Sequence, residues 1–403
     1  MSVLPPPLQA GAGRAPLDLP GWPTTDDDTE LAARVLVLDD GQTRVAFVSL
    51  TIICLHRELT ELIRAAVADV TGAPPANIIV ACTHVHSGPG EVFHDPPEDR
   101  EELYPFVVNA ATAAARQAAR LQPAGLGFSL GHVPGVSRVR RILRRDGTCV
   151  TLRRAWPQYW GWAADPETVG PEEPLDDLLT VLRIEASDGA PLAAVMNFAC
   201  HPIPDFFGYA ASLVERTLGV PCLIFNGCSG TVDTPFEVPM RGKTQADQLP
   251  ILGDVLGYTA LGLFSGAETV HALTLAVASR EVFLPIHEHV RRNPGFRAEL
   301  WPWLLDEGGF RVTVQAVRLL ELALVTMPGE VQHGFGPRLV EASPFPFTRV
   351  IGMADQEVGY MLWPESRARG SYEADLDTWA VTAEEALDLL LQAAREALDG
   401  LGR

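Results

Sequence analysis

The apolar positions of this chain fall into runs of two kinds. Short unbroken runs, closed by Gly, Pro, Asn or Asp, predict buried strands over 33–38, 45–52, 77–82, 126–133, 222–225, 273–285, 311–318, 320–326 and 348–353. Runs 178–186 and 192–199 read as a strand pair joined at Ser187-Asp188-Gly189, with Asp-Gly as the turn signal. Longer stretches with helical spacing cover 58–70, 101–121, 245–266 and 383–398; the second is alanine-rich. Residues 1–30, rich in Pro, Gly and Asp, read as irregular, although 8–15 can still be structured. Strands and helices interleave without strict βαβ regularity. The expected fold class is therefore α/β, with mixed β-sheets flanked by helices. No repeat, low-complexity tract or clear linker divides the chain. The expectation is a single domain over 1–403, with 134–175 as an insertion.

The totals narrow this picture. With 403 residues, 47% of them hydrophobic, the chain can bury a full core. No uninterrupted apolar stretch reaches about eighteen residues, so no membrane span is expected. Met1-Ser2-Val3-Leu4-Pro5-Pro6-Pro7 lacks the basic-then-apolar order of a secretory signal. A formal net charge of −20 argues against a nucleic-acid partner and for solubility. Cys54, Cys82, Cys149, Cys200, Cys222 and Cys228 show no Cys-x-x-Cys spacing. They read as small buried hydrophobes in a reducing cytoplasm. The oligomeric state is not legible.

Candidate chemistry gathers where apolar runs end. Asn77–Cys82 is followed by Thr83-His84-Val85-His86-Ser87-Gly88-Pro89-Gly90. In extended geometry, imidazoles at i and i+2 point to one side of a strand, and the glycine turn lets backbone pass close to what they face. The same event recurs at His201, over Asn226 to Asp233, at Glu330 and at Tyr360. Two or three imidazoles with a carboxylate are normal zinc ligands. Each element also has a plainer reading: His201 caps a strand, Glu330 is a solvated turn residue, Tyr360 is core. Arg138, Arg140, Arg141, Arg144 and Arg145 precede the turn Asp146-Gly147. They form a solvated hairpin or hold an anionic group of a substrate. Trp156, Tyr159, Trp160 and Trp162 make a satellite core or one wall of a pocket.

Thr83 to Gly90 resembles the Thr-His-x-His-Ser-Gly-Pro-Gly motif of the neutral ceramidase family. Asn197-Phe198-Ala199-Cys200-His201-Pro202 resembles that family's second histidine segment, and Leu324 to Glu330 its Pro-Gly-Glu segment. Gly359-Tyr360, Pro364-Glu365 and Tyr372-Glu373 resemble its Gly-Tyr, Pro-Glu and Tyr-Glu run, and Gly11 to Ala15 its opening. The matches span nearly the whole chain in the family's order. The resemblance implies one Zn2+ held by His84, His201, Glu330 and Tyr360, and no other cofactor. It places His86 and Tyr372 on the substrate side and Arg140 near the reacting carbonyl, with Arg138 and Arg141 close enough to leave that register open.

Two departures set the chain apart. Where ceramidases carry Gly-Asp-Val-Ser-Pro with an essential serine, this chain has Gly230-Thr231-Val232-Asp233-Thr234, so Asp233 replaces the serine. The chain also stops short of the family's C-terminal immunoglobulin-like domain. The expected activity is a cytoplasmic zinc hydrolase that cleaves an amide bond of a small molecule other than ceramide. Zinc is expected to acidify a bound water and polarise the carbonyl, Asp233 to take the water's proton, and His86, Tyr372 and Arg140 to stabilise the oxyanion or protonate the leaving group. Asp233 as a turn cap before Pro235 is the plainer alternative. The rival functions are a zinc lactonase or esterase, and a non-catalytic binding protein on the same fold.

Overall fold

The structure, a computed structural model, describes residues 5–20, 31–86, 97–153, 161–202, 205–235 and 245–402. Ser87 to Gly90, and Trp156, Tyr159 and Trp160 of the aromatic cluster, lie outside the described residues.

Strands that read as unbroken apolar runs do so because they are covered on both faces. They lie in two mixed sheets stacked face to face, with helices on the outside. The larger sheet contains, in spatial order, β12 (Cys222–Asn226), β11 (Pro191–Phe198), β10 (Leu178–Ala186), β5 (Gln122–His132), β1 (Gln9–Pro16), β2 (Ala32–Asp39), β3 (Arg44–Leu50) and β4 (Ile78–Cys82). Its two end pairs, β11 with β12 and β3 with β4, are parallel. The smaller sheet contains β14 (Ala276–Pro285), β15 (Gly309–Leu319), β16 (Leu322–Thr326) and β18 (Phe347–Ile351).

Alternation decides which core each side chain joins. Val35, Val37, Val48 and Val80 face the helices Arg57–Thr71 and Tyr104–Ala118. Leu36, Phe47 and Ile79, one residue out of phase, face Leu319, Leu324 and Ile351 of the smaller sheet. The other half of the large sheet is covered by helices Phe206–Leu218 and Gln245–Gly266, and the smaller sheet by helix Ala386–Gly400. Mixed sheets with flanking helices match the fold class expected from the sequence.

In the N-terminal segment, the stretch around 8–15 is a strand: β1 is interior to the sheet and paired with β2 over all eight of its residues. Its signal is weak because it carries two glycines, which strands usually avoid. A Cβ on Gly13 would stand 2.1 Å from the Ala114 carbonyl oxygen. Helix Tyr104–Ala118 therefore lies almost on the strand's backbone, and its facing residues Ala111, Ala114, Ala115 and Ala118 are fully buried.

The 134–175 segment carries short strands of its own. It forms β6 (Arg138–Val139), β7 (Arg141–Arg144), β8 (Cys149–Thr151) and β9 (Thr168–Pro171), with β7 between β8 and β9. β6 pairs with β13 (Val232–Asp233). The arginine cluster is not a solvated hairpin throughout, because Arg140 and Arg141 are 2% and 0% exposed. The β6–β13 pairing draws them inward. All six cysteines are buried and free. Among the described residues one helix, Gln248–Gly266, is long and apolar enough by composition to cross a membrane; it packs on helix Phe206–Leu218.

Residues 352–355 tie the architecture together. Gly352 N donates to the Asn226 carbonyl at 2.8 Å, at the end of β12, and Cys82 N donates to the Met353 carbonyl at 3.1 Å, at the end of β4. The two edges of the large sheet thus meet at one seam, and the chemistry lies there.

Candidate metal centre

β4 stops at Cys82, so His84 and His86 do not project from a strand as their spacing suggests. His84 instead takes a left-handed backbone, φ 66°, which a β-carbon disfavours. Its amide N donates to the Ile52 carbonyl at 3.1 Å. The two rings still converge, with Nε2 atoms 3.4 Å apart. His84 and His201 are buried, and His86 is exposed.

His201 arrives from the loop after β11. Its Nδ1 donates to the Ser229 carbonyl at 2.7 Å, as His84 Nδ1 donates to the Ile53 carbonyl at 2.7 Å. With each Nδ1 proton committed to backbone, each neutral ring presents a lone pair at Nε2. Those lone pairs face a carboxylate. Glu330 Oε2 lies 2.8 Å from His201 Nε2 and 3.4 Å from His84 Nε2, is buried, and has no hydrogen-bond partner. Acceptors so close repel one another unless a cation or a proton lies between them. The ligand atoms of His84, His86 and His201 all fall within 4.8 Å of one another. The Tyr360 hydroxyl stands 3.5 Å from His201 Nε2. This donor set fits a divalent metal of the zinc type, with second partners on Nδ1 fixing both inner imidazoles.

Glu330 and Tyr360 are delivered together. β17 (Glu330–Val331) and β19 (Tyr360–Met361) form a two-residue parallel ladder in which Glu330 and Tyr360 are direct partners. Gly359 makes this possible: its φ is 79°, and a Cβ there would lie 1.9 Å from the Trp379 carbonyl oxygen.

The electrostatics follow the geometry. Burial opposes charge on Glu330, but His84 and His201 outweigh it and hold the carboxyl well below its usual range. Burial likewise opposes charge on His84, yet Glu330 raises its pKa above the ordinary value. His201 is lowered by burial and by Arg140. Glu357, fully surrounded by protein, is pushed up to about 7 by burial and by Glu330. Burial drives Tyr360 well above its usual value, with Arg140 opposing.

Arg140 sits behind Tyr360. Its Nη2 donates to the Tyr360 hydroxyl at 3.1 Å and the Gly230 carbonyl at 2.9 Å, its Nε donates to Glu373 at 2.7 Å, and its Nη1 lies 3.8 Å from Asp233 Oδ2. Asp233 is buried, and its Oδ1 accepts from the Thr234 amide at 2.7 Å, a turn-capping bond. Oδ2 is not spent on the turn. Burial raises the Asp233 pKa, against Arg140 and His201. The Tyr372 ring meets the Tyr360 ring edge-on at 5.5 Å, and the Arg153 guanidinium lies over the Tyr372 ring at 3.7 Å from its centroid. Of the other candidate arginines, Arg138 Nε donates to the Thr234 carbonyl at 3.3 Å. Arg141 turns away, to Glu172, Glu373, Gly370 and Ser366.

Sequence reasoning did not single out Glu373, Glu173 or Glu357 for a role. Glu373 is 0% exposed and accepts from Arg140, Arg141 and Thr151. Glu173 accepts from Thr231, Gln332 and Gly334, joining the 134–175 segment to the loops that follow β12 and β17. An acidic residue in a polar loop reads as solvated. Only the pairing of Glu373 with Tyr372 in one motif pointed to it.

The architecture is similar to the crystal structure of neutral ceramidase from Pseudomonas aeruginosa, with a TM-score of 0.72 over 98% of this chain and 74% of that chain. The chain has the neutral ceramidase fold. Identity over that match is 18%. A ceramidase solved in complex with C2 aligns with a TM-score of 0.73 and 18% identity, over 98% of this chain and 75% of that one. No protein-family model matches the chain, and no curated protein matches it in sequence. The ceramidase fold therefore persists here at a sequence distance where the likeness is carried by topology.

Proposed function

We propose that the protein is a zinc-dependent hydrolase that cleaves the acyl–nitrogen bond of a small molecule. The observation that carries this reading is the orphaned Glu330 Oε2, buried and facing the two Nε2 lone pairs of His84 and His201. His84, His201 and Glu330 would hold the ion, with Tyr360 at hand to complete the set. A bound zinc supplies Lewis acidity, which acidifies water and polarises an acyl carbonyl. The ceramidase fold supports an amide as the bond, since ceramidase names two of its structural neighbours.

The chain's own residues take the proton-handling roles. Asp233 Oδ2 is the acceptor, held in a dry site where its raised affinity for protons suits a general base. His86, the exposed member of the imidazole group, faces the substrate side and donates to the departing nitrogen. Tyr372 forms the wall beyond Tyr360. A carboxylate at 233 accepts a proton but donates none when ionised, so it does not copy the serine of the resembling motif. The substrate is accordingly a small amide other than ceramide.

The test is hydrolysis of a panel of N-acyl amides, esters, lactones and ceramide by protein of measured metal content. Amide turnover abolished by a chelator and restored by zinc is the expected result. Turnover of esters or lactones alone would move the assignment to a lactonase or esterase. Binding without turnover of any of them would overturn it.

A further inference from the structure

The insertion, the tyrosine turn and the metal centre share one buried carboxylate. Glu373 belongs to the turn Tyr372–Ala374 and is 0% exposed. Its Oε1 accepts from Arg140 Nε at 2.7 Å, and its Oε2 from Arg141 Nη1 at 3.2 Å and Thr151 Oγ1 at 2.6 Å. Burial alone would favour a neutral acid, but Arg140 and then Arg141 hold the group below its ordinary value, so it remains a carboxylate. Arg140 in turn reaches Tyr360, Gly230 and Asp233 with its other nitrogens. A guanidinium is planar and rigid, so fixing Nε fixes where both Nη atoms point.

We propose that Glu373 is a positioning residue: through Arg140 it sets the placement of the Tyr360 hydroxyl and the Asp233 carboxylate at the metal centre. The inference rests on the hydrolase reading above. Glu373 touches no reacting atom, so its removal leaves the ligands His84, His201 and Glu330 in place. A neutral amide at 373 keeps one accepting oxygen for the three donors that Glu373 satisfies and turns an NH2 towards the rest. The hold on Arg140 Nε is thereby weakened, Arg140 rotates or tilts, and the two groups that depend on its Nη atoms lose their common guide. A shift of about 1 Å in such a constellation costs on the order of 100-fold in rate. Arg141 is the internal control. It shares Glu373, but its other hydrogen bonds run to Glu172, Gly370 and Ser366 rather than to Tyr360 or Asp233.

The experiment compares wild type with Glu373→Gln, Arg140→Lys and the double variant, each assayed well below its own melting temperature. Glu373→Gln is expected to keep its metal, to lose about 10–100-fold in kcat with KM within about threefold, and to shift the visible spectrum of the cobalt-substituted protein. In the Arg140→Lys background the same substitution should cost less than about threefold, because its route to the site is already cut. If Glu373→Gln does not fold, Glu373→Asp keeps the charge while withdrawing it, and the same kcat loss is expected. Thr151→Val removes another bond to Glu373 and should lower stability while leaving kcat unchanged. A Glu373 variant with lower stability but unaltered kcat and cobalt spectrum would overturn the proposal, as would losses that simply multiply in the double variant. A wild-type protein without metal or turnover would instead overturn the hydrolase reading, a result visible before any variant is made.

Discussion

His201 Nε2 stands 2.8 Å from Glu330 Oε2, and while His201 is neutral with its Nδ1 proton on the Ser229 carbonyl, neither atom has a proton to share. Burial and Arg140 keep His201 on the neutral side. Protein purified without added metal is therefore expected to carry about one equivalent of zinc. His84→Ala and His201→Ala should each lose most of it, as read by elemental analysis. Metal-free protein with full activity would remove the basis of the proposed chemistry.

Proton and metal compete for this centre. The metal-free site favours a proton on His84, whose pKa lies above the ordinary 6.5 because Glu330 outweighs burial. Metal must displace that proton. Zinc affinity should rise with pH up to the raised His84 value and level off above it. The slope is expected to be about tenfold per pH unit for each proton displaced, read by competition with a chromogenic chelator. An affinity independent of pH from 5 to 8 would show that no proton is displaced.

Asp233→Asn separates the base from the turn cap. The amide oxygen can still accept from the Thr234 amide, the bond that Asp233 Oδ1 makes at 2.7 Å. Only the proton acceptor at Oδ2 is lost. Folding and metal content should be preserved while kcat falls by at least about 100-fold. Unchanged kcat with reduced stability would assign Asp233 to the turn and make His86 the first candidate for the base.

Gly359→Ala tests the ladder that carries two of the proposed ligands. The added methyl would enter space 1.9 Å from the Trp379 carbonyl oxygen, at a φ of 79°. A loss of roughly 2–4 kcal/mol in denaturant unfolding is expected. Zinc should also be held less tightly, since Glu330 and Tyr360 are ladder partners. Wild-type stability would mean that β19 can be displaced without cost.

Asp205 offers a test away from the candidate metal centre. Its Oδ1 caps the helix Phe206–Leu218 through the Gly208 amide at 2.7 Å, while Oδ2 is buried without a partner. Burial pushes its pKa from 3.8 up to about 6. Between those values the folded protein keeps a proton that the unfolded chain has released, so stability falls as pH rises through this window. The cost is absent below about pH 4 and complete above about pH 6, on the order of 3 kcal/mol. Asp205→Asn keeps a capping oxygen and should be more stable than wild type at pH 7.5, with the gap narrowing towards pH 4.5. A gap of constant size would rule out the titration.

The elements of this protein were legible because strands such as β2, β4 and β12 are buried on both faces and most helices on one. Unbroken runs such as Ile78–Cys82 and the spacing within Arg57–Thr71 report those environments directly. Local motifs likewise marked His84, His201, Glu330 and Tyr360 as chemistry-bearing. Their meeting is a tertiary fact. The chain separates His84 from Tyr360 by some 276 residues, and only the seam at 352–355, where both edges of the large sheet join the smaller one, brings their loops together. β1 stayed hidden because its glycines answer to a helix more than a hundred residues downstream, through Ala114 and Ala118. The burial and mutual pairing of Arg140, Arg141 and Glu373 stayed hidden for a related reason. A charged side chain carries no sign in sequence of whether water or a buried partner will satisfy it, and here the partners come from the opposite end of the chain.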